Sequence, residues 1–172
     1  LMENKYETVI GLEVHAQLLT ESKMYSNDAN TYGEAPNTQV SVITLGMPGT
    51  LPRLNKRAIE FAVKMGHACN CKIRNENQFA RKNYFYPDLP KGYQITQYDK
   101  SLAKGGFLDI PLSDGTNFRV TIWKLHLEED AGKTRTETGR RLIDFNRCGV
   151  PLIEMVTGPD IHTAEQASTY LT

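Results

Sequence analysis

The chain has 172 residues, enough for one domain with a real core, and its 20 basic and 20 acidic side chains cancel. Overall charge therefore cannot hold a nucleic acid, and any such contact must rest on a local patch. Three cysteines, with no secretory signal or long apolar run, point to a soluble, reducing, cytoplasmic setting and no membrane.

A first strand is expected over Tyr6–Leu18. One parity, from Thr8 and Ile10 to Ala16 and Leu18, is almost wholly apolar, while the other carries Glu13, His15 and Gln17. Side chains alternate across a pleated strand, so these three share the face away from the core. The segment Thr20–Asn37, rich in Ser, Asn, Asp, Gly and Pro, reads as a loop, and Gln39–Leu45 as a short strand. Asn55 caps a predicted helix over Lys56–Cys69 that buries Ile59, Ala62, Val63 and Gly66. Two prolines break regular structure over Asn83–Pro90.

Strands over Leu108–Leu112 and Phe118–Leu127 are joined across Ser113–Thr116, where Asp-Gly signals a hairpin. A second hairpin pairs Thr134–Thr136 with Arg141–Phe145, and Val150–Val156 is the last strand. Thr163 and Gln166 form a capping box opening a helix that the chain end cuts short, as expected for the front part of a longer protein. Mostly antiparallel strands with few helices define an α+β class.

The chemistry lies in acids and imidazoles beside strands: Glu13 and His15, the run His126-Leu-Glu-Glu-Asp130, and Glu154. Brought together on neighbouring strands, carboxylates with one imidazole suit Mg²⁺ or Mn²⁺ rather than zinc. Alternation puts Glu128 and Glu129 on opposite faces, so both cannot serve one ion without a bulge. Cys69-x-Cys71 is too short a spacing for a metal clip. Ala131-Gly-Lys-Thr134 is not a P-loop, because Leu127 stands where its first glycine belongs. The segment Phe79–Tyr98 interleaves aromatics with Arg81, Lys82 and Lys91, and reads most simply as a well-packed aromatic loop, with a nucleic-acid contact and a polar channel or gate as the competing readings.

Five motifs in order, Tyr6–His15, Arg81–Asp88, Tyr93–Tyr98, Leu125–Lys133 and Pro151–Glu154, resemble the B subunit of the aspartyl/glutamyl-tRNA amidotransferases. The resemblance covers Tyr6 to the last residue and only the front of that subunit. It implies that 1–172 is the N-terminal part of the catalytic cradle domain, without the helical and tail domains. The implied fold is a curved antiparallel sheet like that of glutamine synthetase and the guanidino kinases. The implied activity is ATP-dependent carbon–nitrogen ligation in protein biosynthesis. ATP and Mg²⁺ phosphorylate the side-chain carboxylate of Glu-tRNA(Gln) or Asp-tRNA(Asn), and ammonia from glutamine, channelled from the A subunit, displaces the phosphate. The A and C subunits complete the heterotrimer.

Position by position, the resemblance makes His15, Glu129 and Glu154 metal ligands, with Glu13 as a further candidate, and Glu129 also catalytic. Lys82 matches a lysine at the mouth of the ammonia channel, with Tyr84 and Lys91 as neighbours. Lys133 is the candidate for a nucleotide phosphate. Some members hold a structural zinc with two cysteine pairs, but here those positions are Ser26, Asp28, Ser41 and Thr44. No zinc is expected, and that loop holds its shape by other means or is mobile. The alternative role is a non-catalytic docking and channel-lining module, with the isolated chain inactive.

Overall fold

The computed structural model describes residues 6–172. In chain order the elements are β1 (Glu13–Gln17), α1 (Lys56–Ala68), β2 (Lys72–Ile73), β3 (Ala80–Asn83), β4 (Tyr93–Thr96) and β5 (Ala103–Pro111). After these come β6 (Asn117–Glu129), β7 (Lys133–Glu137), β8 (Arg140–Asp144), β9 (Pro151–Thr157) and α2 (Ala164–Leu171). The class is α+β: the main sheet runs β1-β9-β6-β5-β2 with every pair antiparallel, and β3-β4 and β7-β8 are separate hairpins.

The core lies on one face of this sheet. Leu125, Leu127, Ile153 and Met155 point from β6 and β9 into a cluster that includes Ala58 and Ala62 of α1. Small residues at Ala58, Ala62 and Gly66 let the helix approach closely, while Ile59 and Val63 are only partly buried. Asn55 starts the helix by accepting from the Arg57 N–H at 2.9 Å. Its amide also donates to the Ser22 carbonyl at 3.0 Å, which ties the helix start to the loop after β1.

Several elements depart from the sequence reading. The first strand is five residues long; before it, the Leu12 carbonyl accepts from the Thr157 N–H of β9 at 3.0 Å, and Ile10 makes an isolated bridge to Ile161. It is an edge strand whose Val14 is half-buried and Ala16 exposed, because α1 packs on β2, β5 and β6 instead. The predicted strand Gln39–Leu45 is a series of turns, with Leu45, Gly46 and Met47 N–H groups bonded to Ser41, Ile43 and Val42. Ser and Thr side chains there bond locally and compete with a ladder.

The hairpin β3-β4 went unforeseen because its first strand, Ala-Arg-Lys-Asn, shows no apolar alternation. Strand β6 is 13 residues long and outruns its partner, since β5 starts opposite Leu125. The exposed edge beyond that point is closed by side chains of β4 and the residue after it. Gln97 Oε1 accepts from Leu127 N–H at 3.1 Å, and Gln94 Nε2 donates to the Glu129 carbonyl at 2.8 Å.

Candidate metal centre

Register alone assembles a polar row across three strands. His15 lies opposite Glu154, and Glu154 lies opposite His126. Directly paired residues of an antiparallel sheet point to the same face, and i, i+2 neighbours stay on it. Glu128, two residues after His126, therefore joins the same face. All these side chains project away from the apolar face that packs on α1.

His15 Nε2 lies 3.0 Å from Glu154 Oε2 and 3.6 Å from Glu128 Oε2. One ligand atom each from His15, Glu128 and Glu154 fall within 4.8 Å of one another. Neighbouring ligands of an octahedral Mg²⁺ at 2.0–2.1 Å stand about 3 Å apart, so small side-chain rotations complete a three-ligand face. Two carboxylates and one imidazole match a hard divalent ion in donor type as well as spacing.

His126 backs this trio. Its Nε2 is 3.1 Å from Glu128 Oε1 and 3.5 Å from Glu154 Oε2, and its ring is buried. Thr96 Oγ1 donates to Glu128 Oε1 at 2.7 Å. Burial works against the imidazolium, but the two carboxylates outweigh it and hold the His126 pKa above the ordinary value. Burial likewise raises Glu128, yet hydrogen bonds from His126 and Thr96 leave it below the usual carboxylate range. The His126 hydrogen bond, with charge from His126 and His15, lowers Glu154 to about 2. Both acids thus hold the ionised form that ligation requires.

Two of the trio, His15 and Glu128, line a cleft of about 460 Å³ together with Gln17, Tyr84, Gln94 and Asp130. Residues 8–172 match the GatB/GatE catalytic domain. The chain belongs to that family. It is 56% identical over 168 residues to the B subunit of the aspartyl/glutamyl-tRNA(Asn/Gln) amidotransferase of Thermodesulfovibrio yellowstonii, covering 97% of this chain and 35% of that protein. The same-named subunits of Pseudomonas syringae and Geobacillus kaustophilus are 55% and 54% identical, over 97% and 96% of this chain and 35% of each relative. The chain thus spans about a third of the length of these relatives.

Within this family member, adjacent carboxylates have separate surroundings. Glu129 does not join His15 and Glu154; alternation sends it to the opposite side of β6, where it is 3% exposed. There it forms an ion pair with Lys91 and accepts from the Ile95 N–H at 3.0 Å. The structure brings Glu128, not Glu129, to the polar row, so the position carried over by resemblance and the position found by geometry differ by one residue. Strand parity could separate the two but could not choose between them; that required the register of β6 against β9.

Glu13 is exposed and pairs with Val156, one step along from the row, outside the three-ligand group. Lys82 is exposed on β3 with its ammonium 5.9 Å from the Tyr84 ring centroid, and Lys91 rather than Lys82 meets a buried acid. Lys133 is exposed at the start of β7. His126 was within reach of sequence reasoning, since His126-x-Glu128 repeats the one-face spacing of Glu13-x-His15. The Thr96 and Gln94 contacts had no such signal, because they depend on how the β3-β4 hairpin packs.

The positions Ser26, Asp28, Ser41 and Thr44 meet in one hydrogen-bonded group. Asp28 Oδ2 accepts from the Ser41 N–H and hydroxyl, both at 2.9 Å, and from the Thr44 hydroxyl. Ser26 Oγ lies 3.2 Å from Thr44 Oγ1. Burial pushes the Asp28 carboxyl up, and these hydrogen bonds more than reverse it, leaving its pKa lowered. Cys69, Cys71 and Cys148 are all buried free thiols, with burial pushing Cys71 up to about 11 and Cys148 to about 12. Such groups are inert as nucleophiles at neutral pH. Among the described residues, no helix is long and apolar enough to cross a membrane.

Proposed function

We propose that this chain is the N-terminal part of the catalytic domain of a tRNA-dependent amidotransferase B subunit, working in the cytoplasm with the A and C subunits. Its substrates are ATP and the misacylated Glu-tRNA(Gln) or Asp-tRNA(Asn). The side-chain carboxylate of the esterified amino acid is phosphorylated, and ammonia delivered from the glutaminase subunit displaces the phosphate. The observation that carries this reading is the convergence of His15, Glu128 and Glu154, two of which, His15 and Glu128, line an open cleft. Their donor set suits the divalent ion that ATP-dependent phosphoryl transfer requires.

When bound, Mg²⁺ would neutralise charge on the transferring phosphoryl group. The remaining work falls to the chain. Thr96 and His126 orient the Glu128 carboxylate, so that its geometry is set before substrate arrives. Gln94 lines the same cleft and bonds the Glu129 carbonyl, which fixes the wall of the site. Tyr84 also lines the cleft.

The test is Glu154→Gln in the assembled amidotransferase. Loss of a metal ligand removes several kcal/mol of transition-state stabilisation, so ATP-dependent tRNA amidation should fall about 100-fold or more. Glutaminase activity of the partner A subunit should persist. Amidation at the unaltered rate would contradict the proposal.

A further inference from the structure

The sheet face that carries the metal centre also carries a row of lysines. Register places Lys72 of β2 opposite Lys104 of β5, and Lys104 opposite Lys124 of β6. Directly paired residues share a face, and Lys124 stands two residues before His126. The three lysines therefore project on the side of His15, Glu128 and Glu154. A bulge in β6 puts Lys124 there. Ile122 and Leu125 are both in the core, and the register against β9 slips between Ile122 and Lys124, so the extra residue, Trp123, reverses the alternation.

Like charges directly opposite one another in a sheet cost stability. Lys72 and Lys104 are exposed and Lys124 half-buried, and among the described residues none of them has an acidic side chain within ion-pair distance. A lysine on an edge strand guards that edge against pairing, which accounts for Lys72 of β2. It does not account for Lys104 and Lys124, because β5 and β6 are inner strands. The same row continues through Val156 to the exposed Glu13, so its positive charge is confined to β2, β5 and β6.

Resting on the tRNA-amidation reading above, we propose that Lys72, Lys104 and Lys124 hold the sugar-phosphate backbone of the RNA next to its aminoacylated 3′ end. The chemistry sets where that backbone lies. The side-chain carboxylate reacts at the metal centre while its amino acid stays esterified to the terminal ribose, a reach of roughly 7 Å of extended chain. At about 3.4 Å per residue, Lys124 stands roughly 7 Å along β6 from His126, so the row lies where the last nucleotides must pass. With strands about 4.8 Å apart, the three lysines span roughly 10 Å, the axial length of about three nucleotides of one strand. The chain has no net charge, so an RNA contact needs such a local concentration of cations. Beside Lys124, Trp123 is 60% exposed and offers a flat face to an unpaired base.

The experiment measures amidation of Glu-tRNA(Gln) by the assembled amidotransferase over a range of salt concentrations. It compares wild type with Lys104→Gln, Lys104→Arg, Trp123→Leu and the double variant Lys72→Gln with Lys104→Gln. Lys72 and Lys104 are exposed, so their variants should fold and keep their partner subunits, with co-purification and glutaminase activity as the checks. The KM for Glu-tRNA(Gln) should rise about threefold or more in Lys104→Gln and about tenfold in the double variant, with the KM for ATP as in wild type. The slope of log KM against log salt should fall by about 0.7 for each lysine removed, the value for a single strand. Lys104→Arg should restore both KM and slope. Trp123→Leu should raise KM without altering the slope, since stacking releases no counterions. Wild-type KM and slope in the double variant, in an enzyme that Glu154→Gln inactivates, would overturn the lysine row and leave the metal reading standing. A raised KM with a reduced slope, in an enzyme indifferent to Glu154→Gln, would support the row and overturn the metal reading. Loss of a partner subunit from the double variant would overturn the proposal in favour of a protein contact. A raised KM for ATP alone would overturn it in favour of a nucleotide contact.

Discussion

Glu129→Ala should cost stability rather than metal. The Glu129 and Lys91 side chains are 3% and 10% exposed, and the carboxylate also holds the Ile95 N–H at 3.0 Å. Removing one partner of a buried pair leaves the other charged and uncompensated, at a cost of about 3–5 kcal/mol. Lys91 would retain only the faces of Tyr93 and Tyr25, with ring centroids at 5.4 and 5.9 Å. Its residual exposure lets the ammonium turn towards water, which favours the lower end, about 3 kcal/mol. At about 2–4 °C per kcal/mol for a chain of this size, Tm should fall by roughly 6–12 °C. The double variant Lys91→Met with Glu129→Gln should lose less than the sum of its single changes, because no orphan charge remains. Thermal denaturation followed by circular dichroism measures both. A Tm shift under about 2 °C for Glu129→Ala would refute the buried-pair argument.

Asp28→Ala removes the acceptor of three hydrogen bonds around Ser41 and Thr44 and should destabilise by about 2–4 kcal/mol, read from urea unfolding. Gly106→Ala would drive its methyl into the Cys69 carbonyl and the Cys71 sulfur, costing about 1–3 kcal/mol, while Gly105→Ala has open space but φ +66° and should cost nearer 1 kcal/mol. In the presence of a chelator, stability should respond to pH from both sides. Glu154, Glu128 and Asp28 have lowered folded pKa values, so their contribution is complete above about pH 4.5 and fades as pH falls towards about 2. His126 has a raised one, so its contribution is complete below about pH 6.5 and is lost as pH rises through the folded value. A His126→Gln variant whose Tm kept the full alkaline decline would show that this imidazole is not its source.

Local pattern made parts of this fold legible in the sequence. The Asn55 cap, the small-residue stripe of α1, the Asp-Gly turn before β6 and the Thr163 capping box are each set by residues a few positions apart. Alternation likewise placed Glu13, His15 and Gln17 on one face and separated Glu128 from Glu129. What stayed hidden was set by pairing partners distant in the chain. The choice of Glu128 over Glu129 depends on β6 meeting β9 with His126 opposite Glu154. The β3-β4 hairpin reads as irregular because its strands are held by Gln94, Thr96 and Gln97 reaching the end of β6, polar contacts that leave no apolar period. The turns over Gln39–Leu45 defeat a strand reading for the opposite reason: their β-branched residues suit a ladder, but Asp28 captures Ser41 and Thr44 first.

The most direct measurement is anomalous scattering from crystals of the chain soaked in Mn²⁺, repeated for Glu128→Gln and Glu129→Gln. One peak within coordination distance of His15, Glu128 and Glu154 should appear in wild type and in Glu129→Gln, and none in Glu128→Gln. A peak that survives Glu128→Gln and disappears in Glu129→Gln would contradict the assignment of Glu128 as the ligand.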